Sequence, residues 1–159
     1  MIKTEYFKDT KNAYQNLSTI IQADQQTIFR FLSTSEGISS WFPQLSMDQD
    51  NNKQFIQFDM GDGTFEKMML LDFKTNEQIA YEWATGKITF ELEEVEQGTK
   101  LTLHESLPLD FPGIPQDFTG WYVQMKNIKS ISETDSVAKL NKTEIKDVRE
   151  QIKAELFDD

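Results

Sequence analysis

Between Lys53 and Leu107 the chain alternates apolar and polar residues through one segment after another, and no other feature constrains the fold as much. In "KITFELEEV", Ile88, Phe90 and Leu92 fall on one side, and Thr89, Glu91 and Glu93 on the other. A period of two is the side-chain repeat of a strand. One-sided alternation marks an antiparallel sheet with one face on a core and one face wet. "KQFIQFDM" and "TFEKMMLLDFK" flank "GDG" at 61–63, where Asp-Gly suits the positive φ of a tight hairpin. On the second of these strands Phe65, Met69, Leu71 and Phe73 are expected to share the inner face. "QIAYEWA" places Ile79, Tyr81 and Trp83 together, and "TKLTLHESL" pairs Leu101 with Leu103.

Helical signals stand before and after this block. "YQNLSTII" reads as a first strand, with Leu17, Thr19 and Ile21 on one face. Asp24 is placed to cap "QQTIFRFLS", because its carboxylate accepts orphan N–H groups of the first turn. Ser35 is expected to cap a second short helix carrying Ile38, Trp41 and Phe42, which Pro43 stops. "PLDFPGIPQDF" holds three prolines and reads as a loop. "TGWYVQMKNIKSI" reads as a helix with Trp121, Met125 and Ile128 on one side. After the polar break "SETDSVAKLN", "TEIKDVREQIKAEL" is amphipathic, with Ile145, Val148, Ile152 and Leu156 as its stripe and Asn141 and Glu144 at capping-box spacing. Residues 1–13 show no clear period and are expected to be an N-terminal arm. The sum is one α+β domain over 1–159, with about six or seven antiparallel strands and an extra C-terminal helix at 141–157.

Composition narrows the functional classes. The 159 residues include no cysteine, so disulfides, thiolate nucleophiles and cysteine-held metals are excluded. With no signal-peptide pattern and no apolar run of about 18 residues, a cytoplasmic protein without a membrane span is expected. A net charge of -11 repels phosphate backbones and anionic lipid, so nucleic acid is not an expected partner. No cofactor is expected.

The segments "IQADQQTIFRFLSTSEGISSWFP", "GDGTFEKMMLLDFKTNEQIAYEWA", "EQGTKLTL" and "GWYVQMKNI" follow one another as they do in START-like, helix-grip domains of the SRPBCC superfamily. Over roughly residues 14–131 the chain most resembles the Hsp-ninety ATPase activator homologue family. The resemblance implies a curved sheet gripping a long C-terminal helix, with a deep cavity between them. Domains of this kind carry lipids, bind hormones, cyclise polyketides or assist a chaperone, so the fold implies no single activity. The family's long last helix usually ends the domain. Here a further helix follows, so two helices compete for the gripped position.

Candidate site residues follow from these faces. Trp41 and Phe42, at the end of the short helix, either contact an apolar ligand at a cavity mouth or plug the core. Met69, Phe73, Tyr81, Trp83 and Phe90 from the sheet, with Trp121, Tyr122 and Met125 from the helix, line either a pocket or a filled core. Glu105 shares the parity of Leu101 and Leu103: either it points inside, where a carboxylate must be paired, hydrated or protonated, or the strand bulges or ends at His104 and Glu105 faces water. Lys67 is its expected partner across the cavity. His104, the only histidine, is expected to face outward, and alone it makes neither a zinc site nor a triad. "ELEEVE" at 91–96 lacks the spacing of a calcium loop, so no metal site is expected.

Three functions are weighed. The first is binding of a small apolar or amphipathic molecule in a pocket of roughly 300 Å3 or more. The second is a cyclase or hydratase using an inward Glu105. The third is a chaperone accessory acting on an ATPase partner, with a part in stress response. A protein partner or a homodimer is a further option.

Overall fold

The computed structural model describes residues 1–157. Eight strands are β1 (Lys3–Lys8), β2 (Asn12–Ile21), β3 (Leu45–Asp50), β4 (Lys53–Asp59), β5 (Phe65–Lys74), β6 (Gln78–Trp83), β7 (Gly86–Val95) and β8 (Gly98–Pro108). Four helices are α1 (Gln25–Ser33), α2 (Ser35–Trp41), α3 (Ile114–Thr134) and α4 (Lys142–Leu156). The strands form one antiparallel sheet in the order β1-β2-β8-β7-β6-β5-β4-β3.

Two strands exceed the sequence count. β1 lies where an arm is expected, paired along β2 from Lys3↔Ser18 to Lys8↔Ala13. Only Tyr6 of its six residues is buried, so an edge strand of this kind leaves almost no hydrophobic period to read. β3 is short, with Asp48 and Asp50 exposed at the opposite edge.

In β7 and β8 the parity read from sequence holds. Ile88, Phe90, Leu92, Leu101 and Leu103 are buried, while Glu91 and Glu93 are exposed. In β5 it fails. Met68 is the buried residue, and Met69, Leu71, Phe65 and Phe73 are 36%, 51%, 54% and 41% exposed. Met69 pairs with Phe55 on the outer face, whereas Leu70 pairs with Tyr81 on the inner face. The register shifts between Leu70 and Asp72, so Leu71 is the extra residue of a β-bulge. The bulge returns Phe73 to the side of its partner Ile79, at the sheet margin, where its ring meets Phe29 of α1 edge-on at 5.3 Å. A strict period of two carries no sign of an inserted residue.

Local chemistry sets the helix starts. Asp24 Oδ1 accepts from the Thr27 N–H at 2.7 Å and caps α1. Thr34, not Ser35, caps α2: its Oγ1 accepts from the Gly37 N–H at 3.0 Å. α3 begins at Ile114 inside the expected loop, with Gly113 as N-cap at φ 79° and Pro115 in the first turn, where a missing N–H costs nothing. Asn141 caps α4 by accepting from the Glu144 N–H at 3.0 Å.

α3 is the helix held against the inner face of the sheet. Phe118, Trp121, Met125 and Ile128 are buried there among the core residues of β2, β6, β7 and β8. α4 packs outside it, against α3 and β1. Tyr122 donates to Glu144 Oε1 at 2.7 Å, and the Lys8 ammonium donates to the carbonyl of Leu156 at the end of α4. No helix among the described residues is long and apolar enough to cross a membrane.

Candidate functional site: an aromatic seam over a buried acid pair

The residues between the sheet and α3 form a continuous set of rings. Trp121 stands 5.0 Å from Trp83, 5.9 Å from Phe42, 6.0 Å from Phe90 and 6.2 Å from Trp41, each tilted or edge to face. Such angles place the positive edge of one ring on the negative face of the next. Trp41, Tyr81, Phe90, Trp121 and Met125 are buried, and the Trp41 Nε1–H donates to the Phe31 carbonyl at 2.7 Å. Phe42, Phe58 and Trp83 are half-buried and mark the outer end of the seam. In this conformation the rings fill the space where an open pocket of some hundreds of cubic ångströms is expected. A groove of about 540 Å3 lies instead between the segment Leu109 to Pro115, which leads into α3, and α4, and one of about 730 Å3 on the outer sheet face.

The structure thus brings Trp41, Phe42, Tyr81, Trp83, Phe90 and Trp121 together. Met125 is buried in the same core, and Tyr122 turns toward α4. Met69 and Phe73 stand outside the seam, for the reason given by the bulge.

Glu105 is at the inner end, 2% exposed. Its partner is not Lys67, which lies on the outer face, 3.7 Å from Asp50 and 4.7 Å above the Phe55 ring. Gln15, fully buried on β2 and opposite Glu105 in register, donates from Nε2 to Glu105 Oε1 at 2.6 Å and makes a longer bond to the Phe118 carbonyl. Asp117, in the first turn of α3, is the second neighbour. Its Oδ2 accepts from Trp83 Nε1–H at 2.8 Å.

Burial pushes the Glu105 carboxyl well above the usual carboxylate range, and hydrogen bonding to Asp117 and that residue's charge push the same way, against a smaller pull from Gln15. Burial therefore favours the protonated form of Glu105. Glu105 Oε2, Asp117 Oδ1 and Gln15 Oε1 are buried with no donor from another residue. Burial, and then the charge of Glu105, also raise the Tyr81 hydroxyl.

Asp117 and Gln15 are absent from the sequence reading. Extending the parity of Leu17 and Thr19 back one step would have placed Gln15 inside. Pro115 followed by an acid two residues on is a helix-start signal that would have placed Asp117. His104 faces outward, its Nδ1 2.6 Å from Asn16 Oδ1 and its Nε2 3.5 Å from Glu91.

A sheet carrying one long helix on its inner face, with a second aromatic-tipped helix closing one end, defines a START-like domain of the helix-grip kind. The family model for Activator of Hsp90 ATPase homolog 1-like protein matches residues 22–133, and the chain belongs to that family. No curated protein matches it significantly. Among solved structures it is similar to a conserved protein of unknown function from Enterococcus faecalis, with 27% identity, 94% of this chain and 89% of that one covered, and a TM-score of 0.83. CalU16 from Micromonospora echinospora shares the fold at 12% identity, with 97% of each chain covered and a TM-score of 0.74. The Aha1 dimer from Colwellia psychrerythraea does so at 21% identity, with 75% and 95% covered and a TM-score of 0.61.

Proposed function

We propose that the chain binds a small amphipathic molecule in the seam between the sheet and α3. The ligand enters by turning Phe42 and Phe58 aside and reaches the acid pair with its polar end. The observation that carries this reading is the set of buried oxygens on Gln15, Glu105 and Asp117 that no other residue's donor meets. Each such group costs about 1–3 kcal/mol relative to a satisfied one, a cost that apolar residues at the same positions would avoid. Placed beneath movable rings, the oxygens have the form of a specificity patch in an otherwise apolar site. Native mass spectrometry of the chain purified from cells, with a denatured control, tests the reading. A retained small molecule is expected, lost on denaturation and missing from Phe42→Asp. A clean apo mass contradicts it.

One observation favours a second reading, an accessory protein for a chaperone ATPase. Phe65, Met69 and Leu71 form an exposed apolar row on β5. Such rows are the usual mark of a protein contact. On this reading the chain raises the hydrolysis rate of a purified Hsp90-type ATPase, and Leu71→Asp abolishes most of the stimulation. No stimulation, or stimulation untouched by Leu71→Asp, would dispose of it.

A further inference from the structure

The head group that the acid pair accepts can be read from its chemistry, given the seam as the binding site. We infer that the ligand is a cation, an amphipathic amine whose ammonium group sits against Glu105 Oε2 and Asp117 Oδ1 with the ring of Trp83 beside it.

Three observations lead there. First, apart from the proton of Glu105, which an arriving ammonium displaces, the buried atoms without a donor on Gln15, Glu105 and Asp117 are acceptors. The neighbouring donors are already engaged, Gln15 Nε2 on Glu105 Oε1 and Trp83 Nε1 on Asp117 Oδ2. A carboxylate or phosphate would meet oxygens only and be repelled, whereas an ammonium carries three donors and no acceptor. Second, no cation among the described residues pairs with Glu105 or Asp117. The lysines in ion pairs, Lys67, Lys126, Lys129 and Lys153, serve Asp50, Glu144, Glu133 and Glu150. Third, the wall beside Asp117 is aromatic: Trp83 donates to it, with Trp121, Phe42 and Phe58 at 5.0, 6.1 and 6.1 Å from Trp83. Trp83 turns its Nε1–H edge to Asp117, so the rings line the site for the apolar body of the amine. The net charge of -11 draws cations to the molecule as a whole.

Binding is then an exchange. The ammonium takes the place of the proton between the two carboxyls. Glu105 gives that proton to solvent, and the total charge in the site is unchanged. The titratable groups facing Glu105 are Asp117 from α3 and Tyr81 from β6; Gln15 from β2 is neutral.

Calorimetric titration of the full chain at neutral pH with tryptamine, tryptophol and indole-3-acetate tests this, because the three share a ring and differ in head-group charge. Tryptamine is expected to bind about ten-fold tighter than tryptophol, with no binding of indole-3-acetate. About one proton should be released per amine bound, read from buffers of different ionisation enthalpy. Glu105→Gln should abolish the proton release and most of the amine preference. Tryptophol binding as tightly as tryptamine, or amine binding by the wild-type chain without proton release, overturns the inference. If none of the three binds, the molecule retained in native mass spectrometry decides. A basic one supports the inference, and a non-basic one overturns it while the seam reading stands. A chain that retains nothing removes both.

Discussion

Replacing Trp121 by alanine is expected to lower stability by about 3–5 kcal/mol, the range for removing a large buried aromatic. The ring is 2% exposed and touches four others, Trp41, Phe42, Trp83 and Phe90. The neighbours come from α2 and its C-cap, β6 and β7, so no single element can close over the gap. The lost ring contacts and the residual cavity therefore add. Urea unfolding, followed by far-ultraviolet circular dichroism to avoid the altered tryptophan signal, measures the loss. The denaturant slope should be unchanged, since the surface exposed on unfolding is nearly the same. A loss below about 1 kcal/mol would mean that the ring already borders a void, and that the seam is open rather than packed.

Glu105 should give the chain a falling stability with rising pH that a Glu105→Gln variant lacks. In the unfolded chain this carboxyl titrates near its ordinary value, about 4.3. In the folded chain burial and Asp117 hold the proton on to a much higher pH. Between those limits the folded state binds more protons, so stability present below about pH 4.3 is lost as pH rises toward the folded value, by up to about 1.4 kcal/mol per pH unit. Five other carboxylates oppose this slope. Asp9, Asp24 and Asp62 are held below the usual range chiefly by hydrogen bonds they accept from nearby backbone or side-chain groups, Glu144 by its bond from Lys126, and Glu133 by the Gln22 N–H and Lys129 against its own burial. Their contributions are present above about pH 4.3 and lost as pH falls. They are common to both proteins and cancel in the difference. Glutamine keeps the shape and can donate its amide N–H to Asp117 at every pH. The variant should thus gain on the wild type as pH rises above about 5 in paired denaturation curves. A constant difference across that range would show that Glu105 is ionised in both states.

Much of this architecture is legible in the chain because burial writes parity. β7 and β8 sit in the middle of the sheet, with neighbours on both sides, so Phe90, Leu92, Leu101 and Leu103 must be apolar and Glu91 must be out. The same parity points Glu105 inward, where it is buried. Legibility fails where a position is fixed by something other than regular burial. β1 is an edge strand with one buried residue. The face of β5 depends on a bulge at Leu71. The start of α3 depends on a left-handed Gly113 followed by Pro115, in a segment whose prolines otherwise signal a loop. The site shows the same division. Its rings announce themselves as the largest apolar side chains, whereas Asp117 and Gln15 are polar residues whose roles arise only when α3, β2 and β8 meet.

The site depends on one proton, and carbon-detected NMR of the side-chain carboxyls reads that proton directly. The account predicts that the Glu105 carboxyl carbon keeps the chemical shift of a protonated acid well above the pH at which an ordinary carboxyl ionises, and that the wild-type signal changes to that of a carboxylate when an amine is bound. A Glu105 signal that titrates in the ordinary range, near about pH 4.3, would contradict the account, because the pair would then hold no proton for a ligand to replace.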